Sequence, residues 1–159
     1  MPDPIQGPFL EKGSVCDLIL RGLPAWFGIE DAIRQYAVDI DTLPTLLAVV
    51  DDQVVGFLTL KYHTAYAAEI YVMGLDARFH RQGWGRALVE HAESLLRQAQ
   101  IEYLQVKTLS PSVTDEHYAR TRAFYLALGF RPLEEFKQIW DEANPCWLMV
   151  KYLGKPEDR

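Results

Sequence analysis

Cysteine is scarce: Cys16 and Cys146 are the only two in 159 residues. A disulfide framework is therefore excluded, and in a reducing compartment both side chains are expected to pack as small apolar groups. The four histidines, His63, His80, His91 and His117, form no H-x-x-x-H or Cys/His pairing. That removes the usual zinc signatures, and no metal is expected. No run of about eighteen apolar residues occurs. The start Met1-Pro2-Asp3-Pro4 lacks the basic region and apolar stretch of a signal peptide. A soluble, cytoplasmic protein without a membrane span is the expectation. Positive charge is short as well. Sixteen Lys and Arg against 22 Asp and Glu give a net charge of −6, which argues against nucleic-acid partners, since phosphate-backbone binding relies on clustered basic residues. Any anionic ligand must be held by local groups.

With about half of its residues apolar, a chain of this length supports one core, and residues 1–159 are expected to form a single domain. The Pro- and Gly-rich first dozen residues predict a loose or edge segment, followed by an amphipathic stretch from Val15 to Leu23 that Pro24 interrupts. Glu30 to Val38 has helical spacing. Leu46 to Val50 and Gln53 to His63 read as a hairpin around Asp51-Asp52, and Ala68 to Leu75 reads as a strand. From Trp84, the residues Leu88, Ala92, Leu95, Leu96 and Ala99 recur at helical steps. Tyr103 to Thr108 is a strand. Thr114 is the expected cap of a helix with Asp115 and Glu116 in its first turn, and Gly129-Phe130 suits its C-cap. Pro132 to Trp140 and Cys146 to Tyr152 close the chain as strands joined by the turn Asp141 to Pro145. This order supports a mixed α/β domain without repeats or linkers.

The most informative segment runs from Leu75 to Val89, where an apolar strand gives way to a loop and then to a helix that opens near Gly83 and Gly85. Two glycines remove Cβ atoms where a ligand can approach the main chain. A first helical turn adds unpaired N–H groups and the positive end of the helix dipole, beside Arg81 and Arg86. Two familiar phosphate signatures do not fit. A dinucleotide fingerprint needs a small residue where Leu88 stands and its first glycine at the strand end, whereas Asp76 to Gln82 intervene. A P-loop needs Gly-Lys-Ser or Gly-Lys-Thr, which occurs nowhere.

His80-Arg81-Gln82-Gly83-Trp84-Gly85 resembles the pyrophosphate loop of the GCN5-related N-acetyltransferases (GNAT), written Gln/Arg-x-x-Gly-x-Gly/Ala, with His80 at the first position. About forty residues on, Phe124-Tyr125, three residues, then Gly129-Phe130 reproduces a second arrangement typical of that family. Where relatives often carry Asn and Ala, six and three residues before Phe124, this chain has Tyr118 and Thr121.

The resemblance implies a GNAT-type acyl-CoA N-acyltransferase fold, an α/β mixed sheet whose central parallel strands, Ala68 to Leu75 and Tyr103 to Thr108, splay apart for the cofactor arm. It implies acetyl-CoA as acyl donor. Main-chain N–H groups from Arg81 through Gln82, Gly83, Trp84, Gly85 and Arg86 to Ala87 would hold its pyrophosphate. The strand end Met73-Gly74-Leu75 would meet the pantetheine through main-chain atoms of Met73 and Leu75. The acceptor would be a primary amine of a small molecule or peptide that attacks the thioester directly. Tyr125 is the candidate acid for the departing thiolate, against a competing place in the core, because Tyr118, Thr121, Tyr125 and Leu128 share a helical face. Glu69, on the same strand side as Tyr71, Met73 and Leu75, is the candidate base, against an ordinary surface ion pair with Lys61 or an arginine. His63 and His117 are weaker alternatives. A non-catalytic acyl-CoA-binding module is the rival function. A homodimer is compatible with the family, and no interface is legible.

Overall fold

A computed structural model describes residues 4–158. Its elements are β1 (Ile5–Phe9), α1 (Gly13–Arg21), α2 (Glu30–Ile40), β2 (Thr45–Val50), β3 (Gln53–Tyr62), β4 (Ala67–Leu75), α3 (Trp84–Gln98), β5 (Tyr103–Leu109), α4 (Glu116–Ala127), β6 (Arg131–Asp141) and β7 (Asn144–Tyr152). The strands hydrogen-bond in the order β1-β2-β3-β4-β5-β7-β6. The sheet is mixed: β4 and β5 are parallel, whereas β1–β2, β2–β3, β5–β7 and β6–β7 are antiparallel. By its internal contacts the chain divides into two interleaved units, one running up to Lys61 and resuming over Tyr71–Leu95, the other comprising Tyr62–Ile70 and Leu96 onwards.

In the first unit the β2–β3 hairpin turns on two residues. Val50 faces Gln53, and Asp51 and Asp52 both take positive φ, 49° and 63°, the two-residue turn whose twist matches paired strands. The N-terminal segment is an edge strand, with Ile5 opposite Ala48 and Phe9 opposite Thr45. The core gathers Cys16, Ile19 and Leu20 of α1, Ile33 and Ile40 of α2, and Leu47, Phe57 and Val72 of the strands. Leu20, Ile40 and Phe57 are fully buried, and each such side chain contributes roughly 1.5–3 kcal/mol of transfer free energy.

In the second unit the parallel ladder runs from Ala67↔Tyr103 to Ile70↔Val106, while β5 pairs along its whole length with β7, from Tyr103↔Tyr152 to Leu109↔Cys146. The cap of α4 differs from expectation. Asp115, not Thr114, is the N-cap, and its Oδ1 accepts the N–H groups of His117 at 2.9 Å and Tyr118 at 3.0 Å. A carboxylate also suits the positive end of the helix dipole better than a hydroxyl does. The C-terminus follows expectation. Gly129 has φ 99°, the Phe130 N–H bonds to the Tyr125 carbonyl at 3.0 Å and the Gly129 N–H to the Leu126 carbonyl at 3.1 Å, the paired closure that a left-handed glycine permits. Ala99 was expected on the apolar face of α3 but is exposed, because the helix stops at Gln98 and Gln100 turns left-handed at φ 67°. The turn between β6 and β7 is also shorter than expected, since β7 begins at Asn144.

Candidate functional site

In the first unit, the path from β4 to α3 is pinned residue by residue before it opens. The Asp76 N–H bonds to the Val55 carbonyl at 2.8 Å. The Asp76 carboxylate then takes the Arg78 N–H at 3.0 Å and the Arg78 guanidinium at 3.1 and 2.7 Å, which holds its pKa below the usual carboxylate range. A short 3-10 turn, Ala77–Phe79, results. His80 fills the first loop position with a structural task. Its Nε2 donates to the Leu75 carbonyl at 2.6 Å, and its ring meets Trp26 edge-on at 5.7 Å. Gln82 Nε2 donates to the Arg78 carbonyl at 3.1 Å.

The loop then changes hand. Arg81 has φ 61° and Gly83 φ 87°, with Gln82 between them at negative φ. Alternating hands of this kind turn successive N–H groups towards one concavity suited to an anion. A Cβ at Gly83 would meet no atom within 4 Å, so the space beside the main chain is open. α3 starts at the next residue, and its first turn holds no acidic side chain. Arg81, Gln82, Gly83 and Arg86 are exposed, while Trp84, Gly85 and Ala87 are half-buried. Arg86 reaches Glu90 at 3.6 Å on the surface. Upstream on β4, Val72 and Gly74 are buried and alternate with the half-buried Tyr71, Met73 and Leu75. A Cβ on Gly74 would lie 3.0 Å from Phe57, so that face belongs to the core.

In the second unit, Glu69 is not a surface residue. Its side chain is 5% exposed, and Oε1 meets His63 Nε2 at 2.6 Å, Lys107 Nζ at 3.2 Å and Gln105 Nε2 at 3.4 Å. The ladder pairs Glu69 with Gln105 directly, and Lys107 is the next residue on that face of β5. Lys61, the expected partner, has its ammonium 5.6 Å from the centre of the Tyr71 ring instead. Tyr125 is 5% exposed, and its ring packs against Phe124 at 5.2 Å and Phe130 at 5.4 Å. Burial pushes its phenol well above the ordinary tyrosine value, with Tyr118 adding to the rise.

Lys107 and Gln105 escaped the sequence reading. Both lie more than thirty positions from Glu69, and only the parallel register of β4 and β5 could have exposed them. Among the described residues no group of three His, Cys, Asp or Glu could hold a metal, and no helix is long and apolar enough to cross a membrane.

A mixed sheet whose strand β4 leads through a left-handed glycine to an acid-free helix start places the chain in the α/β class. The particular family follows from comparison. The acetyltransferase (GNAT) family matches residues 14–130, and the chain belongs to that family. It is 29% identical over 97 residues to an uncharacterized N-acetyltransferase of Chlorobaculum tepidum and 34% identical over 94 residues to the mycothiol acetyltransferase of Beutenbergia cavernae. These matches cover 59% and 57% of the chain, but only 56% and 30% of the two relatives' own lengths. In fold it resembles a GNAT family acetyltransferase from Elizabethkingia anophelis solved with acetyl-CoA bound, at TM-score 0.71 and 18% identity, with 95% of this chain and 99% of that one covered.

Proposed function

We propose that the chain is an acetyl-CoA-dependent N-acetyltransferase that moves the acetyl group to a primary amine of a small molecule or peptide by direct attack of the amine on the thioester. The observation that carries this reading is the turn at Gly83, open beside its main chain and followed by a helix start without an acid. Main-chain N–H groups of Arg81 to Arg86 would receive the diphosphate of the cofactor, with Arg81 and Arg86 adding exposed positive charge; the N–H of Ala87, expected to join them, instead bonds to the Gly83 carbonyl at 3.0 Å as the helix's own first hydrogen bond. Met73, Gly74 and Leu75 would offer strand main chain to the amide-bearing arm. The acetyl-CoA bound to the Elizabethkingia protein is consistent with this donor. The whole chain would then act as one N-acetyltransferase domain, and the family match draws on residues from both units.

Transfer needs a group to take a proton from nitrogen and one to neutralise the departing sulfur. Glu69, the buried carboxylate of β4, is the proposed basic centre. Tyr125 is the proposed acid, its phenol held in the protonated form by burial. A non-catalytic acyl-CoA-binding module would share the loop but would need neither group.

The test is thiol release. The purified chain should be stabilised against heat by acetyl-CoA and should liberate free CoA when offered a panel of amines. Stabilisation without release from any amine would favour the binding module. Tyr125→Phe should lower turnover at least about tenfold with acetyl-CoA affinity nearly unchanged, because the hydroxyl acts mainly in the transition state. Undiminished turnover would assign Tyr125 to the core alone.

A further inference from the structure

Arg122, in the second unit, is a buried cation without a carboxylate. It is 9% exposed, and it and Tyr125 are the buried side chains of α4. Among the described residues no Asp or Glu forms an ion pair with it. One of its donors is used, Nη1 to the Leu109 carbonyl at 2.6 Å, and its guanidinium carbon lies over the Trp147 ring, 6.0 Å from the centre. Burial draws its pKa below the ordinary arginine value, with Asp115 acting against the fall. An unpaired buried charge is costly, and tying α4 to β5 through one carbonyl needs no more than a neutral donor. The unused donors are not sealed in. Among the described residues Thr108 Oγ1 is the one buried side-chain nitrogen or oxygen without a partner, so Nε and Nη2 of Arg122 are open to solvent. Thr108 is 3% exposed and stands opposite Trp147 in the β5–β7 ladder, which puts its hydroxyl on the face of the sheet that carries the Trp147 ring. Glu135 faces Trp147 from β6 and completes the row. Its carboxylate accepts the hydroxyls of Ser110 and, at 2.8 Å, Ser112, which hold its pKa below the usual carboxylate range.

From this geometry we infer that the open edge of Arg122 receives a carboxylate carried by the acceptor amine, so that the preferred acceptors are short amino acids. The inference rests on the acetyltransferase reading above and names the substrate class at that site. Tyr125, the proposed acid, lies three positions further along α4 and is buried on the same side. Side chains so spaced stand about 5–6 Å apart at Cβ. An acceptor held by its carboxylate at Arg122 therefore needs a short chain to bring its amine to the thioester that Tyr125 serves. The planar guanidinium matches a carboxylate through parallel N–H···O bonds and can stack on an aromatic face while its edge stays free for them. A phosphate monoester fits less well, because ionised Glu135 stands in the same row and repels a second negative charge.

The experiment uses the full chain with acetyl-CoA and follows thiol release with glycine, β-alanine and 4-aminobutanoate, each beside its neutral carboxamide. At the best chain length the wild type should favour the acid over its amide at least about tenfold in kcat/KM, as a charge-assisted pair implies. Arg122→Gln should bring that ratio to within about threefold of unity, and Arg122→Lys, which keeps the charge without the fork, should fall between. A ratio of two acceptors on one protein cancels any general loss of activity, so an Arg122 that served the fold alone would not move it. In the unaltered protein without acetyl-CoA, the amino acids should shift the NMR resonance of the Arg122 Nε–H and the carboxamides should not, a readout independent of any variant's folding.

A wild type that acetylates acids and carboxamides equally well, or acetylates other amines and none of the acids, would overturn the inference and leave the acetyltransferase reading standing. So would a preference that survives intact in Arg122→Gln. A wild type that releases thiol with no amine would remove the acetyltransferase reading. The Arg122 resonance would then decide the carboxylate site by itself, its shift supporting the site and its silence overturning it.

Discussion

Two helices follow the two central parallel strands, and they begin in opposite ways. α4 starts on Asp115, whose carboxylate consumes the N–H groups of His117 and Tyr118, and Glu116 adds a second negative charge. α3 starts after Gly83, which has no side chain with which to cap, and its first turn holds no acid. Every α-helix leaves its first N–H groups unpaired within itself. At α4 the protein satisfies them from its own sequence. Under the proposed function, those at the start of α3 serve the cofactor, with Arg81 and Arg86 beside them. Under that reading, one physical feature is structural at α4 and receptive at α3 through a single choice at the N-cap.

That contrast can be broken most severely at Gly83. Gly83→Asp would give α3 the kind of start that α4 has, at a φ of 87° that disfavours any side chain. Its carboxylate would both occupy the N–H groups and repel a diphosphate. Calorimetry should find acetyl-CoA bound at least about a hundredfold more weakly, a loss of roughly 2.8 kcal/mol. Unchanged affinity would separate the loop from the cofactor. The reverse experiment, Asp115→Ala, should cost about 1 kcal/mol of stability, as loss of a cap does. In a domain of this size that is a melting point lower by about 2–4 °C, with acetyl-CoA affinity within about twofold of the wild type. A large loss of affinity there would show that both helix starts serve the ligand. The smallest effect is expected from Arg86→Gln. Arg86 is exposed and shares its charge with Glu90 at 3.6 Å, so affinity should fall only about two- to fivefold, and less at high salt.

The features that local chemistry sets were legible in the sequence. Asp51-Asp52 marked the hairpin, helical spacing marked α3, and Gly129-Phe130 marked the end of α4. Each depends on residues that are neighbours in the chain. Two errors are also local. Thr114 and Asp115 can both cap a helix, and the pattern alone did not favour the carboxylate. Ala99 continued an apolar spacing beyond the point where Gln100 reverses the backbone. The surroundings of Glu69 were beyond reach for another reason. Alternation along β4 placed Glu69 with Tyr71 and Met73, but its burial and its bond to Lys107 depend on the register of β5, which no neighbouring residue encodes. Lys61 looked the nearer partner in sequence and turned to the Tyr71 ring instead.

The fully buried cysteines bear on how turnover can be watched. Burial lifts Cys16 to about 12 and Cys146 to about 11. At pH 8 only on the order of one such thiol in a thousand, or fewer, is in the thiolate form that attacks a chromogenic disulfide reagent. The protein should be nearly silent in that colorimetric assay, so colour that develops over time would report coenzyme A alone.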